Sequence, residues 1–99
     1  MLAWLQSWYT DQCDGEWEHR YGVRIETLDN PGWLIRIDLT GTDLEDVPFA
    51  EVVHHNPASE FDWVECRVGD KEFHGAGGPH NLEELLRVFR DWAVGASRD

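Results

Sequence analysis

Apolar residues recur at helical spacing at the two ends of the chain and alternate with polar ones between. Leu2, Leu5, Trp8, Tyr9 and Gln12 fall three and four apart, with Trp4 widening the stripe, so residues 1–14 are expected to form an amphipathic helix. Gly15, after Cys13-Asp14, stands where such a helix would end. The period then shortens to two. Tyr21, Val23, Ile25 and Thr27 share one face of an expected strand over 21–28, and Trp33, Ile35, Ile37 and Leu39 share one face of a second over 33–40. Asp29-Asn30-Pro31-Gly32 between them supplies turn residues, which makes the two runs an antiparallel hairpin.

Residues 41–48 are polar and acidic, a loop. Three further strands are expected at 49–55, 61–68 and 71–74, separated by the turn clusters Asn56-Pro57-Ala58-Ser59 and Gly69-Asp70. Gly75-Ala76-Gly77-Gly78-Pro79 is expected to be a flexible linker. Asn81 is a good N-cap with Glu84 three residues on, as in a capping box. From there Leu82, Leu85, Leu86, Phe89, Trp92 and Ala93 form a buried helical stripe ended by Gly95, while Glu83–Arg87 and Arg87–Asp91 can pair on the wet face. The predicted order is helix, about five strands, helix. Without strand–helix–strand alternation this is an α+β fold with an antiparallel sheet. At 99 residues it is one domain, 1–99.

Charge changes the picture more than composition does. Eight Lys and Arg stand against twenty Asp and Glu, a net charge of −12 with His neutral. That field repels a phosphate backbone and an anionic membrane surface, so neither nucleic acid nor membrane is an expected partner. Basic proteins and cations are. Between Arg36 and Arg67 there is no Lys or Arg, yet Asp38, Asp43, Glu45, Asp46, Glu51, Glu60, Asp62 and Glu65 all fall there. Crowded carboxylates repel one another, and aromatic residues beside charges are typical of interface hot spots. Asp43, Glu45, Asp46, Glu51, Glu60, Asp62 and Trp63 are therefore the candidate partner-binding residues. The competing explanation is an acidic surface kept for solubility, its aromatics turned inward.

Catalytic chemistry has one concentrated candidate. Cys13-Asp14-Gly15-Glu16-Trp17-Glu18-His19 holds a thiol, three carboxylates and an imidazole in seven residues. Cys13 ends its helix, however, and the negative helix end and neighbouring acids oppose a thiolate nucleophile. A small-ligand or hydrolytic site of Cys13, Glu16, Trp17, Glu18 and His19 is carried as the alternative, beside a structural subunit that oligomerises through a Trp-bearing face. His54, His55, His74 and His80 lack zinc-ligand spacing, and Asp43, Glu45 and Asp46 lack that of a calcium loop. The glycine-rich run before Asn81 has no Lys and no phosphate-loop pattern. No catalytic residue, metal or cofactor is expected. Cys13 and Cys66 form no CxxC pair, and no signal-peptide pattern or 18-residue apolar stretch is present, so a soluble, cytoplasmic protein is expected.

Several blocks carry a resemblance. Trp4-Leu5-Gln6-Ser7-Trp8-Tyr9, Cys13 to His19, and Ile25-Glu26-Thr27-Leu28-Asp29-Asn30-Pro31-Gly32-Trp33 resemble the immunity protein 53 family of bacterial polymorphic toxin systems. Ile37-Asp38-Leu39-Thr40-Gly41-Thr42 and Gly77-Gly78-Pro79-His80-Asn81-Leu82-Glu83-Glu84 are similar too, in the same order. The resemblance implies an antidote that binds and silences a cognate protein toxin without catalysis or cofactor. A nuclease toxin, with its basic groove, would suit an acidic inhibitor. Residues 43–60 fall outside the blocks that carry the resemblance, and no functional residue transfers.

Overall fold

A computed structural model describes residues 1–96. Helix α1 spans Leu2–Gln12 and a one-turn helix α2 spans Trp17–Arg20. Strands β1 (Val23–Leu28), β2 (Gly32–Asp38), β3 (Val52–His55), β4 (Trp63–Gly69) and β5 (Glu72–Gly77) follow, then helix α3 (Leu82–Ala96). The sheet order is β1-β2-β5-β4-β3, with every neighbouring pair antiparallel. The α+β architecture expected from the sequence is the one observed.

One face of the sheet is packed. Ile35, Ile37, Val64, Cys66 and Phe73 point to the same side and, with Leu85, Leu86, Phe89 and Ala93 of α3, form a core from which water is excluded. Phe89 sits at its centre, in edge contact with Trp4, Trp8, Phe73 and Trp92 at centroid distances of 5.0–6.1 Å. Such contacts add to the burial of the rings themselves. The opposite face of the sheet carries Arg24, Arg36, His74, Arg67 and their neighbours and has no helix upon it.

The structure corrects the sequence expectations in several places. The glycine run is not a linker: Gly75 and Gly77 belong to β5, the central strand of the sheet, which continues to Gly77. Neighbouring backbone, with α3 packed close above, leaves little room for side chains here: a Cβ at Gly77 would lie 2.9 Å from the Trp63 carbonyl oxygen and 3.2 Å from the Asn81 Cβ. A Cβ at Gly75 would meet Leu85 at 3.4 Å and Cys66 at 3.7 Å, and one at Gly78 would collide with the Phe61 carbonyl oxygen. Gly95 lies inside α3 rather than ending it. The wet-face ion pair on α3 is Arg90 with Asp91, at 2.8 Å, rather than the pairs through Arg87. The 49–55 strand shortens to β3, because Phe49 turns inward against Phe73 and Trp92. In α1 the buried stripe is rotated: Trp4, Leu5 and Trp8 pack on the core, while Leu2 is 58% exposed and Tyr9 37%.

The loop joining β2 to β3 crosses one end of the sheet and contributes to the core. Leu39 and Leu44 are buried, and Thr42 fixes the bend by donating its hydroxyl to the Leu39 carbonyl (2.8 Å) and accepting from the Leu44 amide (3.1 Å). The β4–β5 turn places Asp70 and Lys71 at φ values of 53° and 58°, the left-handed pair a two-residue hairpin needs. Lys71 reaches back to Glu45 of the loop, at 3.3 Å.

Candidate functional site

α1 and α3 run parallel. Met1, Leu2 and Ala3 share a depression with Leu82, Glu83 and Leu86 at the start of both helices, and the last turns of both meet at the other end. There the helices and the 41–44 loop enclose a groove of about 920 Å³. Trp4, Trp8, Leu44 and Ala93 line it, with Asp11, Asp14 and Asp43 among them and, among the described residues, no Lys, Arg or His. Neither α1 nor α3 has a basic residue in its last turn. Two helix C-termini, each carrying roughly half a negative charge, thus reinforce three carboxylates beside two indoles. A positively charged side chain is the ligand such a groove suits, through both charge and cation–π attraction.

Asp14 is fixed by the corner between α1 and α2. Its Oδ1 accepts from the amides of Glu16 (3.0 Å) and Trp17 (2.9 Å). Glu18 reciprocates: Oε1 accepts from the Asp14 amide (3.0 Å) and Oε2 from the Gly15 amide (2.9 Å). Bonds from the Trp17 and Glu16 amides hold the Asp14 carboxyl below the usual carboxylate range, and backbone bonds do the same for Glu18. A carboxyl lowered by folding stabilises fully above its unfolded pKa and loses that contribution as pH falls through its folded value. The corner is expected to loosen in acid. In an acid titration followed by tryptophan fluorescence, Glu18→Gln should flatten the low-pH limb of stability and leave neutral-pH spectra unchanged.

The same bonds account for the reactive-looking segment. Cys13 is half-buried and donates its thiol to the Tyr9 carbonyl at 3.4 Å. Trp17 is buried, stands edge-on to Trp8, and donates its indole N–H to the Thr40 carbonyl at 2.8 Å. Glu16 and His19 are exposed. A neighbouring depression of about 190 Å³ is lined by Glu16 and Trp17 but not by Cys13, Glu18 or His19. The buried Cys66 thiol is pushed up to about 12 by burial, with the Glu84 charge adding to it.

The structure divides the acidic stretch of residues 43–62. Asp43, Glu45 and Asp46 lie on the β2–β3 loop at the groove end, Asp43 in the groove itself. Glu60 and Asp62 lie on the β3–β4 turn, at the other end of β4. The seven residues of β4 separate the two groups by roughly 20 Å. Asp62 is tied into the fold: it accepts from Asn81 (3.0 Å) and Asn56 (3.1 Å), and those bonds hold its carboxyl low. Glu51 precedes β3 beside the open face, and Trp63 lies on that face stacked against His55. Asp11, Trp4 and Trp8 were not among the sequence candidates. A signal was present: an acid in the last turn of a helix, where bases are favoured, breaks a local rule without benefit to the fold.

An open antiparallel sheet with a parallel helix pair on one face, ending in an acidic aromatic groove, defines a small α+β protein built around a surface rather than an enclosed cavity. The Immunity protein 53 family model matches residues 2–94 of the 99-residue chain, and the chain belongs to that family. No curated protein and no solved structure matches it at a significant level. Among the described residues, no helix is long and apolar enough to cross a membrane.

Proposed function

We propose that this immunity-family protein binds a cognate protein toxin in the cytoplasm and silences it by occupancy, without turnover. The acidic groove between α1, α3 and the 41–44 loop receives basic side chains of the toxin. The observation that carries this reading is the convergence of Asp11, Asp14 and Asp43, around the half-buried Trp4 and Trp8, with two helix C-termini whose last turns hold no basic residue. A basic nuclease groove is the kind of surface such an inhibitor would cover, and a net charge of −12 would steer the encounter.

The test is co-expression with the toxin encoded beside this chain, followed by association kinetics of the purified pair. Cells carrying both should survive, and the association rate should fall about tenfold or more between low and high salt. Absence of protection and of binding would overturn the immunity reading. Tight binding that ignores salt would overturn the acidic surface as its cause.

A further inference from the structure

On the face of the sheet opposite the helices, four residues form one cross-strand row. Arg24 lies opposite Arg36, Arg36 opposite His74, and His74 opposite Arg67. With adjacent strands about 4.8 Å apart, three guanidiniums and an imidazole arise from about 15 Å of sheet. Like charges directly opposite one another destabilise a strand pair, so the fold gains nothing from this arrangement. Compensation is incomplete. Glu72 serves both Arg36 (4.0 Å) and His74 (3.2 Å), while among the described residues Arg24 and Arg67 have no carboxylate within 4 Å. The small side chain of Ala76 leaves a depression of about 240 Å³ between Arg36, His74 and Arg67, with the carboxylates of Glu51 and Glu65 also lining it.

The row is flanked by acids. Asp38 and Glu72 pair on one side of it, and Glu26 and Glu65 occupy the next positions on the other. A long polyanion laid across this face would meet those carboxylates. A compact carboxylate fits between them, where a guanidinium can hold it with two parallel hydrogen bonds. The row also lies one residue pair from the sheet end at which Asp38 leads into the loop bearing Asp43. A partner gripping that end can touch the groove on one side and the row on the other.

We infer that the row Arg24–Arg36–His74–Arg67 is a second docking surface of opposite sign, which receives acidic side chains of the same toxin. The inference rests on the toxin-binding reading above. It explains why three of the chain's eight Lys and Arg residues stand together, at a cost to the sheet, in an otherwise acidic protein.

The test is Arg24→Glu with Arg67→Glu in the full chain, measured for melting temperature and for affinity to the toxin encoded beside it. The melting temperature should be unchanged or higher, because each new carboxylate faces a retained Arg36 or His74, while affinity should fall about thirtyfold or more. Arg24→Lys with Arg67→Lys should restore most of that loss. Affinity within twofold of the unaltered protein overturns the inference while leaving toxin binding intact. A lower melting temperature for both Arg24→Gln with Arg67→Gln and the Glu pair would make the row structural and overturn it as well. Binding of a short single-stranded oligonucleotide to this protein alone, lost on Arg24→Glu with Arg67→Glu, would assign the row to polyanions and likewise overturn it. If the unaltered protein does not bind the toxin, the reading under Proposed function falls first and this one with it.

Discussion

Phe89→Ala is expected to cost about 4 kcal/mol of folding stability, in the range typical of large-to-small changes at fully enclosed aromatic sites. Phe89 has no exposed surface and is the one ring in contact with α1, through Trp4 and Trp8, with the sheet, through Phe73, and with Trp92 of its own helix. Its removal would strip the facing partners from four rings at once, and rings of that size cannot collapse into the gap. Because native stabilities are only about 5–15 kcal/mol, the remaining margin would be small. For a chain of this length the melting temperature should fall by about 20 °C. Phe61→Ala provides the comparison: its ring is 50% exposed, and its loss should move the melting temperature by no more than a few degrees. Calorimetry of both variants decides the matter, and equal effects would mean that the core is centred elsewhere.

The position of Phe89 was legible in the sequence because α3 repeats its apolar residues at strict helical spacing. Leu85, Leu86, Phe89 and Ala93 are buried as that spacing requires. The β1–β2 hairpin was legible for a similar reason, its alternation and its turn residues agreeing on one register. β5 was obscured because its inward positions after Phe73 are Gly75 and Gly77. Glycine there answers to the Trp63 carbonyl of the neighbouring strand and to α3 packed close on β5, a tertiary cause that no local pattern can express. α1 was placed correctly but rotated, since its aromatic residues and leucines leave an apolar stripe broad enough for more than one face to point inward.

The candidate site was less legible, and for a definite reason. Eight acids crowded into the run from Asp38 to Glu65 suggest one patch only if the chain stays in one place, and here it crosses the sheet end and returns along β3 and β4. Asp62 and Glu45 consequently serve the fold through Asn81 and Lys71, whereas Asp43 joins Asp11 and Asp14 from the far end of the sequence. Proximity along the chain and proximity in space part company wherever a strand order contains a crossover. The order β2-β5-β4-β3 is such a case.

That separation yields the largest expected functional effect. Asp11→Lys combined with Asp43→Lys should weaken toxin binding by about a hundredfold or more and abolish protection in co-expressing cells, since it turns two attractive contacts into two repulsive ones. Both Asp11 and Asp43 are exposed, so neither change opens a cavity. The ammonium introduced by Asp11→Lys would moreover sit in the last turn of α1, where the helix dipole favours a cation, and the melting temperature should be unchanged or slightly higher. Loss of binding without loss of stability separates recognition from folding. Glu60→Lys, on the β3–β4 turn beyond the length of β4, alters the net charge by half as much but lies away from the groove. It should slow association modestly through the long-range field and leave the dissociation rate near that of the unaltered protein. If Glu60→Lys instead raised the dissociation rate as much as the groove pair, the contact would lie at the β3–β4 turn and the groove would be only part of the general negative field.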